Sequence, residues 1–164
     1  MKLNRSSASL TAAGLLLAWL VPAIVRAADH LTVPVAAGDK CPVCGMFVAK
    51  YTDFLARVDF KDGSYAVFDG AKDMMKFLQN PAHYLPQKKG VRVHRILVTD
   101  YYEVKAIDGT RAFYVVGSNV YGPMGGELVP FESEADAHEF AHDHAAKEVL
   151  RFGQINQAVL AGLD

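Results

Sequence analysis

Phe54-Leu-Ala-Arg-Val-Asp-Phe60 and Tyr65-Ala-Val-Phe68, separated by a segment containing Asp62-Gly63, decide the fold of this chain. Both runs are rich in β-branched and aromatic residues and Asp-Gly is a tight-turn signal, so the stretch predicts a β-hairpin. Asp69 follows at once, where a helix N-cap belongs. Ala71, Met74, Met75 and Leu78 then recur at i, i+3, i+4 and i+7, the spacing that lines one face of a helix, and Asn80-Pro81 stops it. Met74 and Met75 fall on or beside that stripe and read as core fillers. A loop through Pro86, Lys88 and Gly90 leads to Val91-Arg-Val-His-Arg-Ile-Leu-Val98, a third strand.

The same order then recurs. Tyr102–Ile107, the turn Asp108-Gly109 and Ala112–Val116 predict a second hairpin; Ser133 caps a helix with Ala137, Phe140, Ala141 and Ala145 on one face; a short strand near Val149–Phe152 closes the unit. Asp136, three residues after Ser133, completes a pattern close to a capping box. The expected fold class is α+β, two small ββαβ repeats, each with a helix packed on a short antiparallel sheet. The first repeat spans residues 54–99 and the second 100–164.

Ahead of the repeats, Lys2 and Arg5 precede an apolar run from Leu10 to Val25 that ends in Val25-Arg26-Ala27. Residues 1–27 read as a secretory signal peptide, the apolar run being short of the about 20 residues a membrane span needs. No cysteine stands at the end of the leader to take a lipid, so the expectation is a periplasmic protein with no stable membrane anchor. Of 164 residues, 137 remain after the leader, enough for one compact domain or two small lobes. Losing Lys2, Arg5 and Arg26 brings the net charge to −4. A surface of that sign argues against nucleic-acid binding, which wants a basic face.

Between leader and repeats, residues 28–53 form an extended arm that carries Cys41-Pro-Val-Cys44-Gly-Met46 and holds the chain's two cysteines. Two thiols and a thioether in six positions are soft donors, suited to Cu(I) and poorly suited to Ca²⁺ or Mg²⁺. A structural disulfide here would close a loop of only two intervening residues and constrain little chain. In the second repeat, Met124 lies in Tyr121-Gly-Pro-Met-Gly-Gly, a loop whose glycines let the backbone approach closely. That presentation suits a thioether ligand as well as a packed anchor. His138 and His142 are four apart on the second helix, a spacing that can bind metal, but they stand in an acidic segment and read as solvated. His30, His83 and His94 have no partner in sequence.

Three classes of function fit a Cys-x-x-Cys pair. A thiol–disulfide oxidoreductase using Cys41 and Cys44 is one, although the motif follows an arm and not the strand of a βαβ unit, and such an enzyme leaves Met124 without a role. A structural zinc module wants four ligands, and no second Cys or Cys/His pair stands at useful spacing. A copper carrier gives Met124 a role beside the sulfur motif.

The Cys-Pro-Val-Cys-Gly-Met motif shortly after an export signal, the two repeats and the Gly-Pro-Met-Gly loop together resemble the NosL family, accessory proteins of nitrous oxide reductase. The resemblance covers nearly all of the chain after the leader. It implies a periplasmic Cu(I)-binding metallochaperone, not an enzyme, that delivers copper to an apo copper enzyme. Its partners would be nitrous oxide reductase and the maturation machinery of its copper sites, including an ABC-type transporter. Transferred by position, the implied ligands are Cys44 as principal donor, then Cys41 and Met124, with Met46 completing the site or packing behind it.

Overall fold

The computed structural model describes residues 32–164, so the signal-peptide expectation for residues 1–27 lies outside the described residues. The first hairpin forms as its sequence predicts: β1 (Ala56–Phe60) pairs antiparallel with β2 (Tyr65–Phe68). Gly63 turns the chain with φ +84°, a conformation that favours glycine. Asp62 Oδ1 accepts the Ser64 N–H at 3.0 Å. The helix α1 (Ala71–Gln79) follows, then a short helix α2 (Pro81–Tyr84) and β3 (Val93–Thr99), which returns to pair with β1.

The second hairpin is displaced from its expected place. β4 (Ala106–Asp108) pairs with β3 and becomes the fourth strand of the first sheet, in the order β2-β1-β3-β4. Asp108-Gly109 is therefore the passage between two sheets and not a hairpin turn. Its glycine answers to space: a Cβ there would stand 2.7 Å from the Ile96 side chain, and Tyr114 Oη donates to the Gly109 carbonyl at 2.6 Å. The true hairpin joins β5 (Phe113–Gly122) to β6 (Gly125–Phe131), with Gly122 opposite Gly125. Pro123 and Met124 are its tip. Glycine-rich composition and the lone proline masked β6 as a loop, but Pro130 sits where β6 is an edge strand, a position that tolerates it.

From there the second unit repeats the first. Ser133 Oγ accepts the Asp136 N–H at 3.3 Å and opens α3 (Glu134–Asp143), and β7 (Glu148–Arg151) pairs with β5 to give the order β6-β5-β7. In both sheets the strand after the helix lies beside the first strand of the hairpin. A last helix α4 (Gln157–Ala161) ends the chain.

The second sheet is buried on both faces, and its alternation shows how. Val115, Val129 and Phe131 pack with Ala137 and Phe140 of α3, whereas Tyr114, Val116 and Leu128 join the cluster built on the first sheet and α1. Helix α1 is thus enclosed between the two sheets. Met74 and Met75 are core residues, as their spacing predicts, and Phe77 is buried more deeply than Leu78.

Asp69 does not cap α1. Gly70 occupies the N-cap position, and the Lys72 N–H in the first turn is taken at 2.6 Å by Glu127 Oε1 from β6. The fit leaves no room for a methyl group, since a Cβ on Gly70 would meet Glu127 Oε2 at 2.1 Å. Glu127 is held by two N–H groups and cannot swing aside without losing them. Gly70→Ala should therefore cost about 1–3 kcal/mol, the range for overpacking, and lower Tm by several degrees. Gly153→Ala, whose added methyl meets nothing within 4 Å, should stay within about 0.5 kcal/mol. Thermal unfolding followed by circular dichroism compares the two.

Candidate metal centre

The arm is tied to the first sheet before it reaches the sulfur motif. Val33 is buried and Arg57 donates to the Pro34 carbonyl at 2.6 Å. The motif then closes on itself. Lys40 pairs with Phe47, the Cys41 N–H reaches the Met46 carbonyl at 2.9 Å, and the Gly45 N–H reaches the Cys41 carbonyl at 2.8 Å. Gly45 permits this with φ +81°. Both thiols consequently face the start of α1.

There they meet two carboxylates. The Cys44 thiol donates to Asp69 Oδ1 at 3.2 Å and the Cys41 thiol to Asp73 Oδ2 at 3.4 Å. One ligand atom from each of Cys41, Cys44, Asp69 and Asp73 can be chosen so that all four lie within 4.8 Å of one another, close enough to share a metal ion. Cys41 is 1% exposed and Cys44 half-buried, both as free thiols. Asp69 Oδ2 is buried with no hydrogen-bond partner among the described residues. An unsatisfied buried oxygen costs about 1–3 kcal/mol, and a cation beside it would remove that cost.

The surroundings oppose thiolate formation. Burial is the largest cause in both cases; it pushes the Cys44 thiol up to about 11 and the Cys41 thiol higher still, with the Asp69 charge adding to each. Burial, and then the Asp69 charge, also raises the Asp73 carboxyl. Reactive cysteines sit in electropositive, partly exposed surroundings that lower the thiol pKa; this pair sits in the reverse. A bound cation would offset all of these penalties together.

Met46 lies half-buried at the close of the loop. Met124 stands at the tip of the β5–β6 hairpin, which meets the first turn of the same helix. It is 45% exposed at the hairpin tip, and its carbonyl accepts from the Lys72 ammonium at 2.9 Å, one residue from Asp73. His138 and His142 are exposed on α3. Asp69 and Asp73 join the cluster although the sequence pattern does not single them out as ligands. Their signal was available, two acids four apart at a helix entrance, but Asp69 in a capping position hid it.

Paired sheets enclosing one helix, with two thiols turned onto its first residues, define a small α+β protein with a thiol–carboxylate cluster able to hold a metal ion. The chain belongs to the NosL family, whose family model matches residues 32–160. It is 34% identical over 125 residues to the copper-binding lipoprotein NosL of Stutzerimonas stutzeri, covering 74% of this chain and 64% of that protein. The chain thus spans a little under two thirds of that relative's length. It is also similar to the crystal structure of the copper chaperone NosL from Shewanella denitrificans, with a TM-score of 0.62 and 26% identity over 79% of this chain and 98% of that one.

Because the thiols are held protonated near pH 7, alkylation by iodoacetamide should be slow. Cys44 should react at least about tenfold more slowly than an unstructured cysteine of pKa about 8.5. Its rate should climb with pH toward 11, while Cys41 stays protected by burial. Mass spectrometry of timed aliquots across pH 6–10 reads both sites, and fast labelling at pH 7 would contradict the assignment.

Proposed function

We propose that this protein is a periplasmic Cu(I) metallochaperone that carries copper as cargo to nitrous oxide reductase or another exported copper enzyme. Its partners on this reading are the apo enzyme and the maturation machinery of its copper sites, including an ABC-type transporter. The observation that carries the reading is the convergence of Cys41 and Cys44 on one point at the entrance of α1. Membership of the NosL family and the likeness to a copper chaperone of known structure support it.

Cys44 is the principal donor. It is the more exposed thiol, so an incoming ion meets it first, and Cys41 closes on the ion from beneath. Each thiol gives up its proton on binding, and the carboxylate it already touches is the nearest acceptor. Met124 and Met46 supply neutral thioethers, which add affinity for a soft ion with no further proton loss. Two or three sulfur donors hold Cu(I) while leaving room for a recipient's ligand to enter. Met124, at an exposed tip, marks the side from which that ligand comes.

The four-residue cluster itself favours a second reading, a divalent ion such as Zn²⁺ held by Cys41, Cys44, Asp69 and Asp73. Thiol–disulfide exchange is the weaker alternative, because the raised thiol pKa values suppress the thiolate it needs.

Competition of the reduced, metal-free protein against a Cu(I) chelator tests the proposal. Cys44→Ser should abolish tight binding, Cys41→Ser should weaken it, and Met124→Ala should lower affinity by at least about tenfold, or roughly 1.4 kcal/mol. Each thiol starts protonated below pH 8, so apparent affinity should rise with pH by about tenfold per unit for each thiolate formed. Normal copper binding by Met124→Ala, together with turnover of a disulfide substrate by the wild type, would replace the carrier with an enzyme.

A further inference from the structure

Lys72 is 2% exposed and Glu127 3%, and no step of the copper chemistry uses either. They form a reciprocal pair of links between the first turn of α1 and the β5–β6 hairpin. In one direction a hairpin side chain takes a helix backbone group: Glu127 Oε1 accepts the Lys72 N–H at 2.6 Å and its own neighbour's Leu128 N–H at 2.9 Å. In the other, a helix side chain takes a hairpin backbone group: Lys72 Nζ donates to the Met124 carbonyl at 2.9 Å. The ammonium also reaches the Leu163 carbonyl at 3.3 Å and Asp164 Oδ1 at 3.7 Å.

Both links end on the same turn that faces the thiols. Lys72 is next to Asp73, which meets Cys41, and three residues from Asp69, which meets Cys44. The backbone on either side is shaped to admit the carboxylate. A Cβ on Gly70, before the helix, would stand 2.1 Å from Glu127 Oε2, and one on Gly122, before the hairpin tip, 2.8 Å from it. A lysine and a glutamate of this depth are rare unless partnered, and here the partners lie at the two ends that a copper site drawn from both sheets must bring together.

We infer that Lys72 and Glu127 are positioning residues for the metal site: they lock the Met124 hairpin tip to the cysteine-facing turn of α1, so that the thioether engages an ion already held by the thiols. The inference rests on Met124 being a ligand. Without the lock the tip keeps its hairpin, because β5 and β6 pair independently of Lys72, but loses its register against the thiols.

Methyl-labelled methionine NMR reads the thioether directly, since Cu(I) is diamagnetic, and the signal missing from Met124→Ala identifies its resonance. In the wild type, Cu(I) should shift the Met124 methyl. In Lys72→Leu, the protein should still bind Cu(I) through its thiols, with affinity reduced at least about tenfold, as far as in Met124→Ala. The Met124 methyl should then stay unmoved by copper, and the double variant should bind no more weakly than Met124→Ala alone. A wild-type methyl shift in Lys72→Leu, with only Tm lowered, would overturn the inference. So would losses that multiply in the double variant. Should Lys72→Leu fail to give a folded amide spectrum, Glu127→Asp, too short to reach both N–H groups, is read by the same criteria. A wild-type protein whose Met124 methyl ignores copper would remove Met124 as a ligand and the inference with it, and that failure is visible before any Lys72 variant is made.

Discussion

The Glu127 carboxylate, buried in the second sheet, accepts the Lys72 N–H in the first turn of α1, 55 residues away in sequence. A helix leaves its first N–H groups without intrahelical partners, and side-chain acceptors normally come from the residue just before it. Here the acceptor comes from another sheet. That displacement leaves the buried Asp69 free to accept from Cys44 and ties α1 to the second sheet. Complete burial pushes the Glu127 carboxyl up to about 7, while the Leu128 and Lys72 N–H groups work in the opposite direction. Such a group is tolerable only where its hydrogen bonds are complete.

The site follows from what surrounds that turn. Sulfur is brought in by a short self-closed loop, and oxygen is already present on the helix entrance. Thiols beside carboxylates in a buried setting are poor nucleophiles, yet they are well placed to exchange protons for a cation. Softness of the donors then separates the metals: thiolate and thioether favour Cu(I), whereas carboxylates serve harder divalent ions. The same geometry therefore reads as a copper carrier if the methionines engage, and as a zinc site if the aspartates do.

Much of the fold was legible because its signals were local. The first hairpin, α1, the Ser133 cap and the return strands each lie within a window where period and turn chemistry agree. The second hairpin was not, because two local signals were reassigned by tertiary contacts. Asp108-Gly109 has the composition of a hairpin turn but serves the close approach of Ile96 and Tyr114, so Ala106–Asp108 extends the first sheet. Gly122, Gly125 and Gly126 dilute the strand pattern of β5 and β6, although Gly122 is what makes room for Glu127. At the site, the sulfur was plain from residue type alone. The carboxylates were not, since nothing local says that Asp69 gives up its capping role to a residue in another sheet.

X-ray absorption at the copper edge of the reduced, Cu(I)-loaded protein tests the central claim most directly. A carrier built on Cys44, Cys41 and Met124 should show a low-coordinate shell dominated by sulfur scatterers. A shell dominated by oxygen or nitrogen would place the ion among Asp69, Asp73 or histidine and contradict the account.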